Sequence, residues 1–199
     1  MYSVLGGPGV PRDLQRALAH GALEGKSLLI GTTRDEATAF TAFAPRIQNL
    51  TSAGALDLLT GQLGEQAHEV YQRHAARLPQ AAPAQVFTAL RTDELFRNGS
   101  LRIGDRHAAG GNATYVYQFG YQSAEDEHVL GATHCVELPF LFNTFDAYPD
   151  SPMLGRPTDA ERALGHTFAT GVAEFVTTGS VNDWLPYTPT TAARIQHFG

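Results

Sequence analysis

The stretch KSLLIGTT, residues 26–33, indicates the class of fold. Its centre, Leu28 to Ile30, is a short continuous apolar run that Gly31 closes. Such a run between turn-forming residues is typical of a strand buried on both faces, as strands are in a parallel sheet. The stretch therefore predicts one inner strand of an α/β protein.

Helical patterns occupy much of the chain around this strand. A short helix is expected over 11–20, and apolar residues at steps of three and four predict an amphipathic helix over 52–78. Prolines break the pattern at 79–85, and further helices are expected over 86–97 and 101–108. The GGPG motif at 6–9 is interpreted as a plain turn.

A second strand and a long helix complete the pattern. The segment ATYVYQFGYQ, residues 113–122, alternates with four aromatic residues on one face, which predicts a strand. Further along, Thr158 and Glu161 form a capping box, and Gly179 ends the helix that it begins. Strands separated by helices predict an α/β fold with parallel pairing. Two strands do not make a stable sheet, so the chain should be one side of a larger sheet.

Composition excludes several classes of protein. A chain of 199 residues suits one domain, and its net charge of -6 argues against general nucleic-acid binding. No apolar run approaches the ~18 residues that a membrane span needs. Cys135 is the single cysteine, so neither an internal disulfide nor a thiolate metal cluster is possible. The histidines do not follow metal-binding motifs, and the sequence predicts neither a metal nor a cofactor.

Two acid–base candidates follow the two predicted strands. Glu36 lies in GTTRDEATAF (31–40), and His134 lies in GATHCVEL (131–138). Reacting groups collect beyond the carboxyl ends of strands in open α/β sheets, so these side chains should meet at one edge. A carboxylate facing a histidine fixes its tautomer and stabilises the imidazolium, and Glu before His is the triad order of α/β-hydrolases. The apolar run that follows, Leu138 to Phe142, is expected to be buried.

Simpler interpretations compete with this pair. Asp35 is a second candidate for the acid, although it suits a surface carboxylate or a partner of Arg34. Cys135 invites a Cys–His dyad, but adjacent side chains on an extended turn point apart, which favours a packed thiol. Asp93 more simply tethers a helix or loop. Phe140 and its aromatic neighbours suit either the core or a pocket wall.

Several stretches together resemble the type-B carboxylesterase family, which includes cholinesterases and bacterial p-nitrobenzyl esterases. The resemblance implies the C-terminal part of an α/β-hydrolase fold, with the last strands of a mostly parallel sheet and their flanking helices. Residues 1–199 would then be the C-terminal portion of one domain and incomplete by themselves. The stretches are LLIGTTRDEATAF (28–40), TDELFR (92–97), YVYQF (115–119), GATHCVELPFLF (131–142) and WLPYTP (184–189).

The resemblance also implies roles for three residues. Glu36 would be the triad acid, His134 the general base, and Glu137 a buried carboxylate that supports them. The family usually has glycine after both the acid and the base, whereas Ala37 and Cys135 stand there in this chain. The substitution at Cys135 puts the backbone conformation of the histidine turn in question.

The serine nucleophile is absent from this sequence. None of the serines lies in the G-x-S-x-G elbow that α/β-hydrolases use. We therefore expect an inactive portion of a serine esterase acting on small carboxylic esters, whose partner is the missing N-terminal part of the same domain. The seven serines are Ser3, Ser27, Ser52, Ser100, Ser123, Ser151 and Ser180.

Two other functions remain open. The family contains adhesion domains that have lost the serine, and the chain could also be a split subunit completed by another polypeptide. Retention of both Glu36 and His134 favours the enzyme, because a binding domain has no chemical reason to keep the pair. The first residues have no signal-peptide pattern, and the sequence does not fix the location in the cell.

Overall fold

Three parallel strands form the sheet in the computed structural model. β1 (Leu28–Thr33) pairs with β2 (Thr114–Phe119), and β2 pairs with β3 (Ile195–Phe198) on its other side. The structure describes residues 6–7, 11–126, 129–189 and 194–199. The two predicted strands are confirmed as parallel neighbours, and β3 is a third strand that the sequence pattern did not indicate.

The pairing register brings the ends of β1 and β2 to the same level. Leu28 lies opposite Thr114 and Thr33 opposite Phe119, so the two strands start and stop together. The N–H group of Arg34 then donates to the Phe119 carbonyl at 2.8 Å, which carries the pairing one residue past β1. The segments that leave the two strands therefore begin side by side at the carboxyl edge of the sheet.

Helices occupy most of the rest of the described chain, with short 3₁₀ turns at 64–66 and 145–147 and a π-helical turn at Asp93–Arg97. In chain order the α-helices of the described residues are α1 (Leu14–Ala19), α2 (Thr38–Thr41), α3 (Pro45–Gln48), α4 (Ser52–Leu63), α5 (Ala67–Arg77), α6 (Pro83–Thr92), α7 (Asn98–Ala109), α8 (Leu138–Phe142) and α9 (Asp159–Thr178).

The sheet is covered on both faces. On one face α7 packs against β1 and β2, and Gly104 lets it approach Val116 and Ile30 closely. On the other face the aromatic side of β2 packs against α9, with Phe119 and Phe168 fully buried in the main core. A second core lies among α4, α5 and α6, away from the sheet. The alternation of β2 is thus confirmed, because one strand supplies side chains to both layers.

Two helix predictions need correction. The helix expected over 52–78 is two helices, because Gly64 adopts a φ of 57° that ends α4 before α5 begins. The helices expected over 86–97 and 101–108 are instead one helical stretch over 83–109, where the π-helical turn joins α6 directly to α7. The proline break also ends earlier than expected, because Pro83 occupies the first turn of α6, where its missing N–H costs no hydrogen bond.

The apolar run after the candidate histidine is only partly buried. It forms α8, which turns Phe140 into the core but leaves Phe142 66% exposed. The expectation of a wholly buried run was therefore wrong, because a helix distributes neighbouring side chains around its axis.

The capping signals of the long helix are confirmed. α9 begins after Thr158, whose side chain accepts from the Ala160 N–H, and ends at Gly179 with φ 76°. No described helix is long and apolar enough to cross a membrane. Ser3 and the second half of the predicted turn at 6–9 lie outside the described residues.

Candidate active site

Glu36 is fixed in the segment that leaves β1. Its Oε1 accepts from the backbone N–H of Thr33 at 2.8 Å, and the residue is only 5% exposed. The next N–H group, that of Ala37, donates to the hydroxyl of Thr92 on α6 at 3.0 Å. One carboxylate oxygen is therefore tied to the end of the strand, and the backbone after it is tied to a helix.

His134 lies in a tight turn that precedes α8. Cys135 follows it with a φ of 69°, in the left-handed region that glycine occupies most easily. The question raised by the substitution at this position is thus answered, because the turn keeps a glycine-like conformation with a cysteine in it. Ala37, in contrast, has ordinary right-handed helical angles.

Glu36 and His134 meet as a hydrogen-bonded pair. Nδ1 of His134 lies 2.6 Å from Oε2 of Glu36. A carboxylate oxygen accepts, so in the neutral imidazole Nδ1 carries the proton and Nε2 keeps its lone pair. Among the described residues Nε2 has no hydrogen-bond partner, and the His134 side chain is 40% exposed. A buried acid thus orients a half-exposed imidazole whose free nitrogen can take a proton.

A pair of hydrogen bonds, called here the loop clamp, sets the distance between the two segments. The N–H group of Asp35 donates to the Ala132 carbonyl at 2.9 Å, and the N–H group of Ala132 donates back to Oδ2 of Asp35 at 2.9 Å. Asp35 also pairs with Arg34 at 2.9 Å. The expected ion pair is confirmed, but the sequence did not reveal that the same carboxylate holds the histidine segment.

Further polar groups hold the segment before His134. Asp126 accepts from the N–H groups of Leu130 at 2.8 Å and Gly131 at 2.7 Å. The hydroxyl of Thr38 contacts the Leu130 carbonyl at 2.6 Å and the Thr133 hydroxyl at 2.7 Å. Each backbone amide from 130 to 132 therefore meets a carboxylate, which fixes the path of the chain into the turn.

Glu137 lies half-buried beside the pair. Its Oε2 is enclosed and has no hydrogen-bond partner among the described residues. Burial raises the pKa of this carboxyl group, and the negative charge of Glu36 raises it further. Burial and the same two carboxylates raise the pKa of Tyr117 to about 12 and raise that of Cys135. The thiol is thus held in its protonated, weakly nucleophilic form.

Comparison with known proteins assigns this arrangement to a family. The carboxylesterase family model matches residues 3–197, nearly the whole sequence. The chain belongs to the carboxylesterase family. It is 29% identical over 194 residues to a phenmedipham hydrolase of Pseudarthrobacter oxydans, covering 96% of this chain and 38% of that relative. It is 28% identical over 173 residues to a para-nitrobenzyl esterase of Bacillus subtilis, covering 86% of this chain and 33% of that protein.

A solved structure of the family supports the α/β-hydrolase fold. A carboxylesterase of Geobacillus stearothermophilus matches with a TM-score of 0.75 and 29% identity, covering 92% of this chain and 41% of that one. The chain thus spans only about a third to two-fifths of the length of these carboxylesterases. The architecture described above is a partial α/β-hydrolase fold.

The Glu36–His134 pair has no serine beside it in the part of the chain that the structure describes. No described serine side chain forms a hydrogen bond with His134. No group of three or more His, Cys, Asp or Glu side chains that could hold a metal occurs in the described ranges. The rings of Phe40 and Phe96 lie against the imidazole, with centroid-to-centroid distances of 5.5 and 5.2 Å. The catalytic roles of Glu36 and His134 stay predictions.

Proposed function

We propose that the chain is the C-terminal portion of a serine carboxylesterase that hydrolyses small carboxylic esters. His134 is the general base, Glu36 is the acid that orients it, and the serine lies outside this sequence. The observation that carries the proposal is the 2.6 Å hydrogen bond between a buried carboxylate and a half-exposed imidazole. Membership of the carboxylesterase family and relatives named as esterase and hydrolase support it.

The free nitrogen of His134 defines the chemistry. Nε2 accepts the proton of the serine hydroxyl while the serine oxygen attacks the ester carbonyl carbon. The imidazolium then returns the proton to the leaving alcohol, and the acyl group stays on the serine. In the second half Nε2 takes a proton from water, the resulting hydroxide attacks the acyl carbon, and the proton goes back to the serine as the acid leaves.

Glu36 contributes by holding the tautomer and by balancing charge. Its Oε2 keeps the proton on Nδ1, so that Nε2 stays available as the base, and its charge stabilises the imidazolium. Because Thr33 binds the other oxygen, the carboxylate has little freedom to rotate away. Burial strengthens this interaction, since water screens it less than it would at the surface.

Glu137 has a supporting role in this proposal. Because its pKa is raised, part of the Glu137 population stays neutral at pH values above the ordinary pKa of a glutamic acid. A neutral Glu137 places no second negative charge beside the imidazole, so Glu36 remains the acid that pairs with His134.

The test compares this chain with a protein that also contains the serine. Purified residues 1–199 are expected to leave p-nitrophenyl acetate intact and to take no fluorophosphonate label. The same chain joined to any in-frame upstream region with a G-x-S-x-G motif is expected to hydrolyse p-nitrophenyl acetate and to take the fluorophosphonate label. Turnover by residues 1–199 alone that Glu36→Gln and His134→Ala both abolish would overturn the missing-serine proposal.

The same experiment separates the remaining alternatives. An upstream elbow that lacks serine, with no labelling, would favour an adhesion domain. A stop codon immediately upstream, with labelling restored only by a second polypeptide, would favour a split subunit. In that last case the roles of Glu36 and His134 would stand, and only the origin of the serine would change.

A further inference from the structure

A π-helical turn interrupts the long helical stretch next to His134. α6 ends at Thr92, the turn spans Asp93–Arg97, and the Asn98 N–H donates to the Asp93 carbonyl five residues back. One extra residue in a helix rotates everything that follows by about 100°. Such turns are common at functional sites, and this one changes the direction in which its own side chains project.

The residue that the turn presents to the site is Phe96. Its ring centroid lies 5.2 Å from that of His134, and the ring lies nearly parallel to that of Phe40, 6.3 Å away. Both phenyl rings thus lie close to the imidazole, each tilted by 41° from its plane. A shift of the π-helical turn would move one of the two rings that confine the imidazole.

Asp93 holds the turn through a set of charged contacts, called here the Asp93 cluster. Its Oδ2 accepts from Nε2 of His74 at 3.0 Å and from Arg77 at 3.2 Å, and its Oδ1 accepts from Arg97. The Asp93 side chain is only 13% exposed. The cluster therefore joins α5 to both ends of the turn through a carboxylate that is largely buried, although the Arg77 side chain is 63% exposed.

His74 has hydrogen-bond partners at both ring nitrogens. Its Nδ1 lies 2.8 Å from the Val70 carbonyl, which only accepts, while Nε2 faces the Asp93 carboxylate. The same carboxylate also accepts from two guanidinium groups, so His74 shares its partner with Arg77 and Arg97. Three side chains on one carboxylate, two of them guanidinium groups, give Asp93 a stronger hold than a single surface ion pair would have.

Arg97 extends the cluster to the catalytic segment. Its Nη2 donates to the backbone carbonyl of Arg34 at 2.5 Å. Arg34 directly precedes Asp35 of the loop clamp and lies two residues before Glu36. The same turn therefore contacts the candidate base through a ring and the acid segment through a guanidinium.

We propose that Asp93 is a positioning residue for His134, acting through the π-helical turn that places Phe96 against the imidazole and Arg97 against the Arg34 carbonyl. The functional consequence rests on the proposed role of His134 as the base. The structural part does not depend on it, because the contact between Phe96 and His134 is a property of the chain.

The direct test is NMR of the histidine ring protons in residues 1–199 labelled with ¹³C-histidine. Phe96→Leu removes one ring current and should move the His134 signals. Asp93→Asn should move them in the same direction, and the double variant should match Phe96→Leu alone. Glu69→Gln is the matched control, because it removes a carboxylate from an exposed ion pair with Arg73 on the same α5. It should leave the signals in place.

Two results would overturn the proposal. One is a folded Asp93→Asn protein with His134 signals at the wild-type position. The other is a double variant in which the two shifts add, since additivity would mean that Asp93 acts on His134 independently of Phe96. If Asp93→Asn does not fold, Arg97→Lys replaces it. Lysine keeps the charge but lacks a fork to hold Asp93 and the Arg34 carbonyl together, so it should give a smaller shift in the same direction.

Kinetics of the assembled esterase provides the functional arm. A small displacement of a catalytic group is costly, so Asp93→Asn should lower kcat by about tenfold or more and leave KM of a small ester nearly unchanged. Asp93→Glu should recover part of the loss. If His134→Ala leaves activity intact, the proposed function fails while the NMR result still decides the positioning. If His134→Ala abolishes activity but Asp93→Asn does not lower kcat, the positioning role is refuted.

Discussion

The loop clamp should contribute measurably to stability, and Asp35→Ala removes its side-chain half. Oδ2 of Asp35 accepts from the Ala132 N–H at 2.9 Å and pairs with Arg34 at 2.9 Å. A hydrogen bond to a charged group contributes about 1.5–3 kcal/mol, and a partly exposed ion pair adds about 0–1 kcal/mol. We therefore expect the free energy of unfolding to fall by about 1.5–4 kcal/mol. Asp35→Asn should lose less, because its amide oxygen can still accept from Ala132.

The assay is urea unfolding of the purified protein followed by circular dichroism, with Asp146→Ala as the control. Asp146 forms an ion pair with Arg162 of the same 2.9 Å length, but its side chain is 84% exposed. Its loss should cost about 0–1 kcal/mol. If Asp35→Ala and Asp146→Ala destabilise equally, Asp35 is only a surface ion-pair partner and the clamp has no energetic role.

Three further predictions concern stability. Gly131→Ala should lower the free energy of unfolding by about 2 kcal/mol or more, because φ is 59° and the new Cβ would overlap the Asp35 carboxylate of the loop clamp. Gly61→Ala in α4 is the control: its Cβ meets no neighbour, and it should stabilise the protein by about 0.5–1 kcal/mol. Burial raises the pKa of Glu137, so this group stabilises the fold below its ordinary pKa of 4.5 and loses that contribution as pH rises. The stability of Glu137→Gln relative to wild type should therefore increase with pH in unfolding curves, and parallel curves would contradict this. Thr158→Ala should cost about 1 kcal/mol in thermal unfolding through loss of the cap of α9. Thr167→Ala, an exposed mid-helix control, should be neutral or slightly stabilising because alanine has the higher helix propensity, and equal effects would contradict the capping role.

Local signals in the sequence were sufficient to predict those elements whose conformation depends on residues next to each other in the chain. The apolar run of β1, the alternation of β2 and the capping box at Thr158 each encode a conformation within a few residues. Glu36 and His134 could be paired because parallel strands that end together bring the following segments together. The strand and capping predictions needed no knowledge of distant contacts, whereas the pairing of Glu36 with His134 assumed that the two strands are parallel neighbours.

The features that the sequence did not reveal depend on distant contacts or on backbone geometry. β3 has four residues, too few for a recognisable period, and it is defined by its pairing with β2. The clamp joins Asp35 to an amide 97 residues away, and only the small residues at 131–132 hint at a close approach. Gly64 lies inside an amphipathic pattern that by itself predicts one helix. Periodicity likewise cannot distinguish a π-helical turn from the α-helices around it.

The central claim is that Glu36 and His134 act together on a serine, and kcat/KM of the assembled esterase tests it most directly. Glu36→Gln, His134→Ala and the double variant should be measured with one small ester. Groups that act as a unit are strongly non-additive, so we expect each single variant to lose about 10³-fold or more, with the double variant no worse than His134→Ala. Losses that multiply in the double variant, or a Glu36→Gln enzyme with wild-type activity, would contradict the claim.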